Sequence, residues 1–255
     1  MRRRNLLNNN NGKLVLNSDF LFWFDGKRYL DSSRWYPLIL SGDTLVKKSD
    51  YYLAAEWSPI YDSTRGCINV PDGSFAYYNS DKSTHTNIVN IMSPGGLGDF
   101  TFMVAVDCVF DTSSTNEIFI MASTYSSNAT AAGRGLINLS PNGSLSFQFG
   151  FNITGTNWIY FNGTKDVPNG THIRTLACKR IGSYAIFYLN GQLFETMTVM
   201  SDKVLTKNLI YQIPCYDNNS RMLAQLFYGQ VAYKSALSDD DINSMHNYFV
   251  KYYNM

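Results

Sequence analysis

The run Ser238-Asp239-Asp240-Asp241 is the densest cluster of carboxylates in the chain. Three consecutive acids could hold a cation or move a proton, but the residues around them point elsewhere. Ser238 is a favourable helix N-cap, and acids in a first helical turn face exposed N–H groups and the positive end of the helix dipole. Ile242, Met245, Phe249 and Tyr252 or Tyr253 then recur at helical spacing and form one apolar stripe. The acids therefore predict the start of a C-terminal helix over 239–253 and no reactive cluster.

No other catalytic constellation is evident in the sequence. Glycoside hydrolysis needs two carboxylates roughly 5 to 9 Å apart, which a strand supplies with acids at i and i+2 or i+4 of one face. The chain has only three glutamates, Glu56, Glu117 and Glu195, none with a carboxylate so placed. His85, His172 and His246 lack a His or Cys partner at ligand spacing, and each reads as a surface or edge residue. The glycines of SPGGLGDF (93–100) lack the lysine and following helix of a phosphate loop. No G-x-S-x-G is present, and IGSY (181–184) reads as a turn. The expectation is no catalytic residue, no metal and no cofactor, with the few acids serving as scaffolding.

Aromatic and amide display is the positive feature. TNWIYFNGT (156–164) and YDNNSR (216–221) set flat rings beside Asn and Asp, groups able to stack on and hydrogen-bond with sugars. Trp158, Tyr160, Tyr216 and Asn218 are the candidate glycan-binding residues. Burial in a core or interface is the default alternative for strand aromatics. Asp217 beside two Asn residues makes a poor calcium site. The N-terminal stretch 1–13, with Arg2, Arg3 and Arg4 followed by Asn8 to Asn11, reads either as a loose tail or as an arm that docks on a neighbouring subunit.

The elements that must position these groups are β almost throughout. FTFMVAVDCVF sets Phe102, Val104, Val106, Cys108 and Phe110 on one face, while Met103, Ala105 and Val109 make the other face apolar too. That pattern predicts a strand covered on both sides. FLFWFDG ends at the turn signal Asp25-Gly26, and Pro71-Asp72-Gly73 separates two short runs. EIFIMAS predicts a further strand. GLINLSPNGSLSFQFGF turns at Pro141-Asn142-Gly143 and then alternates Leu145, Phe147, Phe149 and Phe151 with polar residues. YAIFYLNGQLFETMTV turns at Asn190-Gly191, the strongest short-range hairpin signal. No helical period precedes residue 238, and no linker divides 14–255, which reads as a single domain.

Bulk composition limits the functional classes. Hydrophobic residues make up 45% and charged residues 16% of 255 residues, so the chain is not a disordered one. A net charge of +1 argues against a nucleic-acid binder working by broad attraction. No stretch approaches the roughly 20 apolar residues of a membrane span, and the arginines near the start are not followed by a secretory apolar core. Cys67, Cys108, Cys178 and Cys215 match no zinc pattern, and Cys108 and Cys178 read as buried free thiols. Sequons such as those at Asn138 and Asn152 fall inside expected strands, a by-product of Asn, Ser and Thr richness.

The order of elements resembles the laminin-G-like branch of the concanavalin A-like jelly rolls. FTFMVAVDCVF, then IRTLACKRIGSYAIFYLNGQLFET, then FYGQVAYKSALSDDDINSMHNYF carry the likeness, with Phe187 to Gly191 matching the family's hairpin. Gly229, Val231, Leu237, Ser238 and Ile242 match its final strand and helix start with one-residue differences in spacing. The resemblance covers about residues 20 to 250 and implies an all-β, antiparallel two-sheet jelly-roll sandwich with a short C-terminal helix. The paired acids of the family's glucanases and the metal cluster of its legume lectins are not recognisable. With no signal segment, a start near the initiator Met and much Asn and Tyr, the chain looks like a structural protein of tailed bacteriophages. The leading expectation is a non-enzymatic virion component, a capsid decoration or fibre-associated protein made in the host cytoplasm, with other virion proteins as partners. The alternative is a lectin-like module that adheres to host or mucosal glycans. A glycoside hydrolase is disfavoured, and oligomeric state is open.

Overall fold

The strand Phe100–Val109 (β9) shows how the sequence builds the fold. Phe102, Val104 and Val106 point into one apolar cluster, together with Phe22, Phe24 and Phe147. Met103 and Ala105, on the alternate face, join a second cluster with Trp23, Val231, Ile242, Met245 and Phe249. Every residue from Phe100 to Ala105 is no more than 1% exposed. The two-sided burial expected of this run is therefore present over Phe100 to Ala105, because a sheet covers one face and a helix the other. Val109, expected on the covered second face, lies at the strand's end and is 58% exposed.

These relations come from a computed structural model that describes residues 12–49, 52–56, 60–71, 77–79, 98–114, 116–125, 134–140, 146–152, 158–199, 209–213, 223 and 225–255. For some strand residues, Trp158 among them, only the backbone is described. Arg2 to Arg4, Tyr216, Asn218, Cys215, His85 and the turns at Asp72-Gly73 and Pro141 to Gly143 lie outside the described residues.

One sheet has ten strands. Gln192–Thr198 (β16), Tyr184–Leu189 (β15), His172–Ile181 (β14), β9, Gln225–Tyr233 (β18), Phe20–Asp25 (β1), Leu38–Ser41 (β3) and Thr44–Lys47 (β4) follow one another across it. Cys67–Val70 (β7) pairs with the first part of β18 and with Ile60–Asp62 (β6). The second sheet runs Trp158–Asn162 (β13), Ser146–Asn152 (β12), Arg134–Ser140 (β11), Ile118–Tyr125 (β10), Leu209–Ile213 (β17), Tyr77–Asn79 (β8), Leu53–Glu56 (β5) and Arg34–Trp35 (β2). The paired strands are antiparallel throughout. The protein is a two-sheet sandwich with the helix Asp239–Tyr253 (α1) packed on the outer face of the ten-stranded sheet.

The helix boundaries match the sequence reading. Ser238 Oγ accepts from the Asp241 amide at 3.1 Å, and Asn254 closes the helix in the left-handed region at φ 60°. Ile242, Met245, Phe249 and Tyr253 form the buried stripe. Each such side chain contributes about 1.5–3 kcal/mol by leaving water. The chain segment from Lys13 docks beside it: the Lys13 amide donates to Ser244 Oγ at 3.1 Å and Leu14 is buried.

His246, expected at the surface or an edge, is half-buried. It lies on the sheet-facing side of α1, where Nδ1 shares a 2.9 Å hydrogen bond with Thr175 Oγ1. Burial lowers its pKa, and the nearby Arg174 guanidinium adds to that. The turn at Asn190-Gly191 explains the fit, since a Cβ at Gly191 would stand 2.6 Å from His246 Cβ.

Candidate functional site

The carboxylates locate where chemistry could occur. Asp25 ends β1 fully buried and accepts hydrogen bonds from the Tyr252 hydroxyl at 2.7 Å, the Tyr253 hydroxyl at 3.0 Å and the Lys27 amide at 3.0 Å. Desolvation raises its pKa above the ordinary value, against those hydrogen bonds and the charge of Arg28. Glu195 is also buried and ties β16 to the turn after β13, with Oε1 accepting from Thr164 Oγ1 at 3.0 Å and the Lys165 amide at 3.3 Å. Both acids hold neighbouring segments together.

A groove of about 530 Å³ opens at the N-terminal end of α1, lined by Asn17, Asp19, Lys179, Ser235, Ser238 and Asp241 among others. It brings two carboxylates into one depression, which the sequence reading did not expect. Asp241 Oδ2 accepts from the cap hydroxyl of Ser238 at 2.8 Å, so its position is explained by the helix start. Lys179 is occupied by Leu237 O at 3.0 Å and by Asp239. Burial pushes the Cys108 thiol up to about 12 and the Cys178 thiol well above its ordinary value, so neither is a thiolate nucleophile. Among the described residues no three His, Cys, Asp or Glu side chains converge as metal ligands.

Of the four sequence-predicted glycan residues, Tyr160 has a described side chain. It is 44% exposed on β13, the outermost strand of its sheet, and pairs with Gly150. Asn162, two residues on, accepts from Gln148 Nε2 at 2.9 Å. Trp158 begins the same strand, opposite Asn152. The structure thus sets an exposed ring and an amide pair on one edge of the sandwich.

A larger aromatic array lies at the opposite edge and was missed. The pairing Arg34↔Ala54 and Trp35↔Leu53, continued by one step, places Tyr36 opposite Tyr52, with ring centres 5.5 Å apart. On the other side Leu30 bridges Trp35, and the Tyr36 amide donates to Tyr29 O at 3.0 Å. Tyr29, Tyr36 and Tyr52 therefore stand in adjacent chain segments as one row. Two residues after β2 the chain enters β3 of the other sheet, so the row sits at a corner of the sandwich. There β4, an edge strand, brings Lys47 Nζ to 3.8 Å from the Tyr36 ring centre and 5.2 Å from that of Tyr29. The Arg34 guanidinium lies 4.5 Å from the Tyr52 ring centre, and Arg34 Nη1 donates to the Tyr36 hydroxyl at 3.3 Å. Cations at these distances are held by the ring quadrupoles. Tyr29 is 47% exposed, while Tyr36 and Tyr52 are half-buried.

No protein-family model matches the sequence, and no curated protein matches it. Solved structures of similar fold do. The receptor binding domain of botulinum neurotoxin C/D mosaic serotype aligns over 91% of this chain and 51% of its own, at 11% identity and TM-score 0.51. The botulinum neurotoxin serotype D/C VPI 5993 binding domain aligns over 91% and 52%, at 13% identity and TM-score 0.51. This chain spans about half the length of those it matches, and at such identities the likeness establishes a shared sandwich fold and nothing finer.

Proposed function

We propose that this protein is a non-enzymatic carbohydrate-binding domain and that the Tyr29–Tyr36–Tyr52 row is its binding face. The row is the observation that carries the reading. Tyrosine offers a flat apolar face and a hydroxyl on a side chain with little entropy to lose. The corner presents the Tyr29 ring beside the Tyr36 and Tyr52 rings, tilted 51° to each other, as surfaces for the C–H faces and hydroxyls of sugar rings. The engagement of buried Asp25 and Glu195 in structural hydrogen bonds supports a binding role over hydrolysis. The matched neurotoxin domains are named as receptor-binding and binding domains, and the proposal extends binding, as a class of role, to this chain.

The Tyr160 edge favours a second reading, in which sugar meets β13 and the Gln148–Asn162 amide pair. A glycan array with the wild type, a Tyr36→Ala/Tyr52→Ala variant and Tyr160→Ala separates the two. Loss of the signal in the double variant, with Tyr160→Ala unchanged, is expected. The reverse pattern transfers the site to β13, and a wild type that binds no glycan sinks the carbohydrate reading. The virion role rests on composition and the Arg2–Arg4 arm alone, and mass spectrometry of purified particles tests it.

A further inference from the structure

We infer that the tyrosine corner selects acidic saccharides, with Lys47 and Arg34 reading a carboxylate or sulfate on the sugar. The inference rests on the carbohydrate-binding reading and adds the ligand's charge. Its basis is a pair of cations at the corner whose described side-chain contacts are to tyrosine rings and a tyrosine hydroxyl. Neither Lys47 nor Arg34 is ion-paired to the carboxylate of a described residue. A ring quadrupole attracts a cation without cancelling its charge, so both remain able to meet an anion. Asp31, the acid closest in sequence to Arg34, uses Oδ1 to accept from the Ser33 amide at 2.7 Å, the Ser33 hydroxyl at 2.8 Å and the Arg34 amide at 2.7 Å. Its carboxylate organises the turn and attracts the Arg34 guanidinium through space without closing to an ion pair, so the charge it offsets at Arg34 is partial.

Geometry strengthens the case. Lys47 reaches the row from the edge of one sheet and Arg34 from the edge strand of the other, so two cations from different layers flank the same rings. A neutral sugar can accept hydrogen bonds from these cations but brings no charge to meet theirs. An acidic sugar would stack on a ring while its anion takes a charge-assisted hydrogen bond, the stronger kind. Tyr29 adds a backbone signature. It is a bulky residue in the left-handed region at φ 58°, a conformation that costs energy and is retained where a side chain must be held in a set position.

The test titrates the full chain, by calorimetry and NMR, with two matched pairs: sialyllactose against its methyl ester, and a galacturonate trisaccharide against its methyl ester. Vesicles bearing a sialylated glycolipid and vesicles bearing phosphatidylserine form a further arm, and a polyglutamate peptide serves as competitor. At least one acid is expected to bind about tenfold more tightly than its neutral partner. That preference should be lost in Lys47→Gln and Arg34→Gln and kept in Lys234→Gln, a control away from the corner. Equal affinity within both pairs overturns the acidic preference while leaving the carbohydrate reading standing. No saccharide binding overturns both. Equal binding to the two vesicle types without binding of the soluble acids, or full displacement by polyglutamate, assigns the cations to lipid or protein charge and overturns the inference.

Discussion

The Tyr188 hydroxyl on β15 donates to Asp239 Oδ1 on α1 at 2.6 Å, in the same spot where Lys179 Nζ reaches that oxygen from β14. The first acid of the Ser238 run therefore does more than start a helix: it fastens the helix to the ten-stranded sheet. The hydrogen bonds from Lys179 and then Tyr188 hold its carboxyl below the ordinary range. Asp239→Ala leaves the largely buried Lys179 ammonium with Leu237 O alone, and because the Asp239 carboxylate is largely exposed and screened, a loss of about 1 kcal/mol is expected. Urea denaturation measures it, with Asp240→Ala, outside this contact, within about 0.5 kcal/mol of wild type. Because the folded-state pKa is depressed, the Asp239 contribution is present above the unfolded carboxyl value and fades as pH falls through the folded one. A wild type and Asp239→Ala with parallel stability profiles in acid would refute the contact's role.

Much of this architecture was legible because it depends on local rules. The two-sided apolar run of β9, the Asn190-Gly191 turn and the Ser238 cap each act within a few residues, and each has its expected outcome in the described chain. In β12, Phe147 is buried beside a half-exposed Gln148. The tyrosine row depends on register between segments. β2 has two residues, too few for alternation to show, and Tyr29, Tyr36 and Tyr52 become neighbours only through pairing. Nor did charge mark them, since Lys27, Arg28, Arg34, Lys47 and Lys48 are interspersed with Asp25, Asp31, Asp43 and Asp50. The placement of His246 was hidden for a similar reason, since its partner Thr175 lies on a distant strand.

Gly191 couples hairpin and helix. Its φ of 77° suits glycine, and a Cβ there would also meet Asn243 Oδ1 at 3.1 Å and the His246 ring at 2.9 Å. Gly191→Ala combines backbone strain with displacement of α1, and a loss of about 1–3 kcal/mol is expected. Gly170→Ala shares the positive φ but meets nothing within 4 Å, so it should cost less. Thermal denaturation of the two variants separates strain from docking, and equal losses would show that the helix contact is immaterial.

Asp25 gives a pH dependence of the opposite sign. Burial raises its folded-state pKa above the ordinary 3.8, so between those two values the folded protein holds more protons than the unfolded chain. Stability from this group is therefore full below the unfolded value and is lost as pH rises through the folded one. Asp25→Asn removes the titration. The stability of wild type relative to Asp25→Asn should grow as the medium is acidified through that window, as measured by urea midpoints across a pH series. A constant difference would mean that Asp25 titrates alike in both states.

Tyr29 offers the cleanest separation of stability from binding. Glycine relieves the left-handed backbone at φ 58° but adds freedom to the unfolded chain, and the ring it removes is 47% exposed with one cation 5.2 Å from its centre. These effects oppose each other, and each is worth about 1 kcal/mol or less. Tyr29→Gly should therefore unfold within about 1 kcal/mol of wild type while losing saccharide affinity. Tyr29→Phe keeps the ring face and should retain binding that depends on stacking, losing only what its hydroxyl contributes. A Tyr29→Gly protein that folds normally and binds as tightly as wild type would leave the left-handed tyrosine without a role in recognition, and the binding face would shrink to Tyr36 and Tyr52.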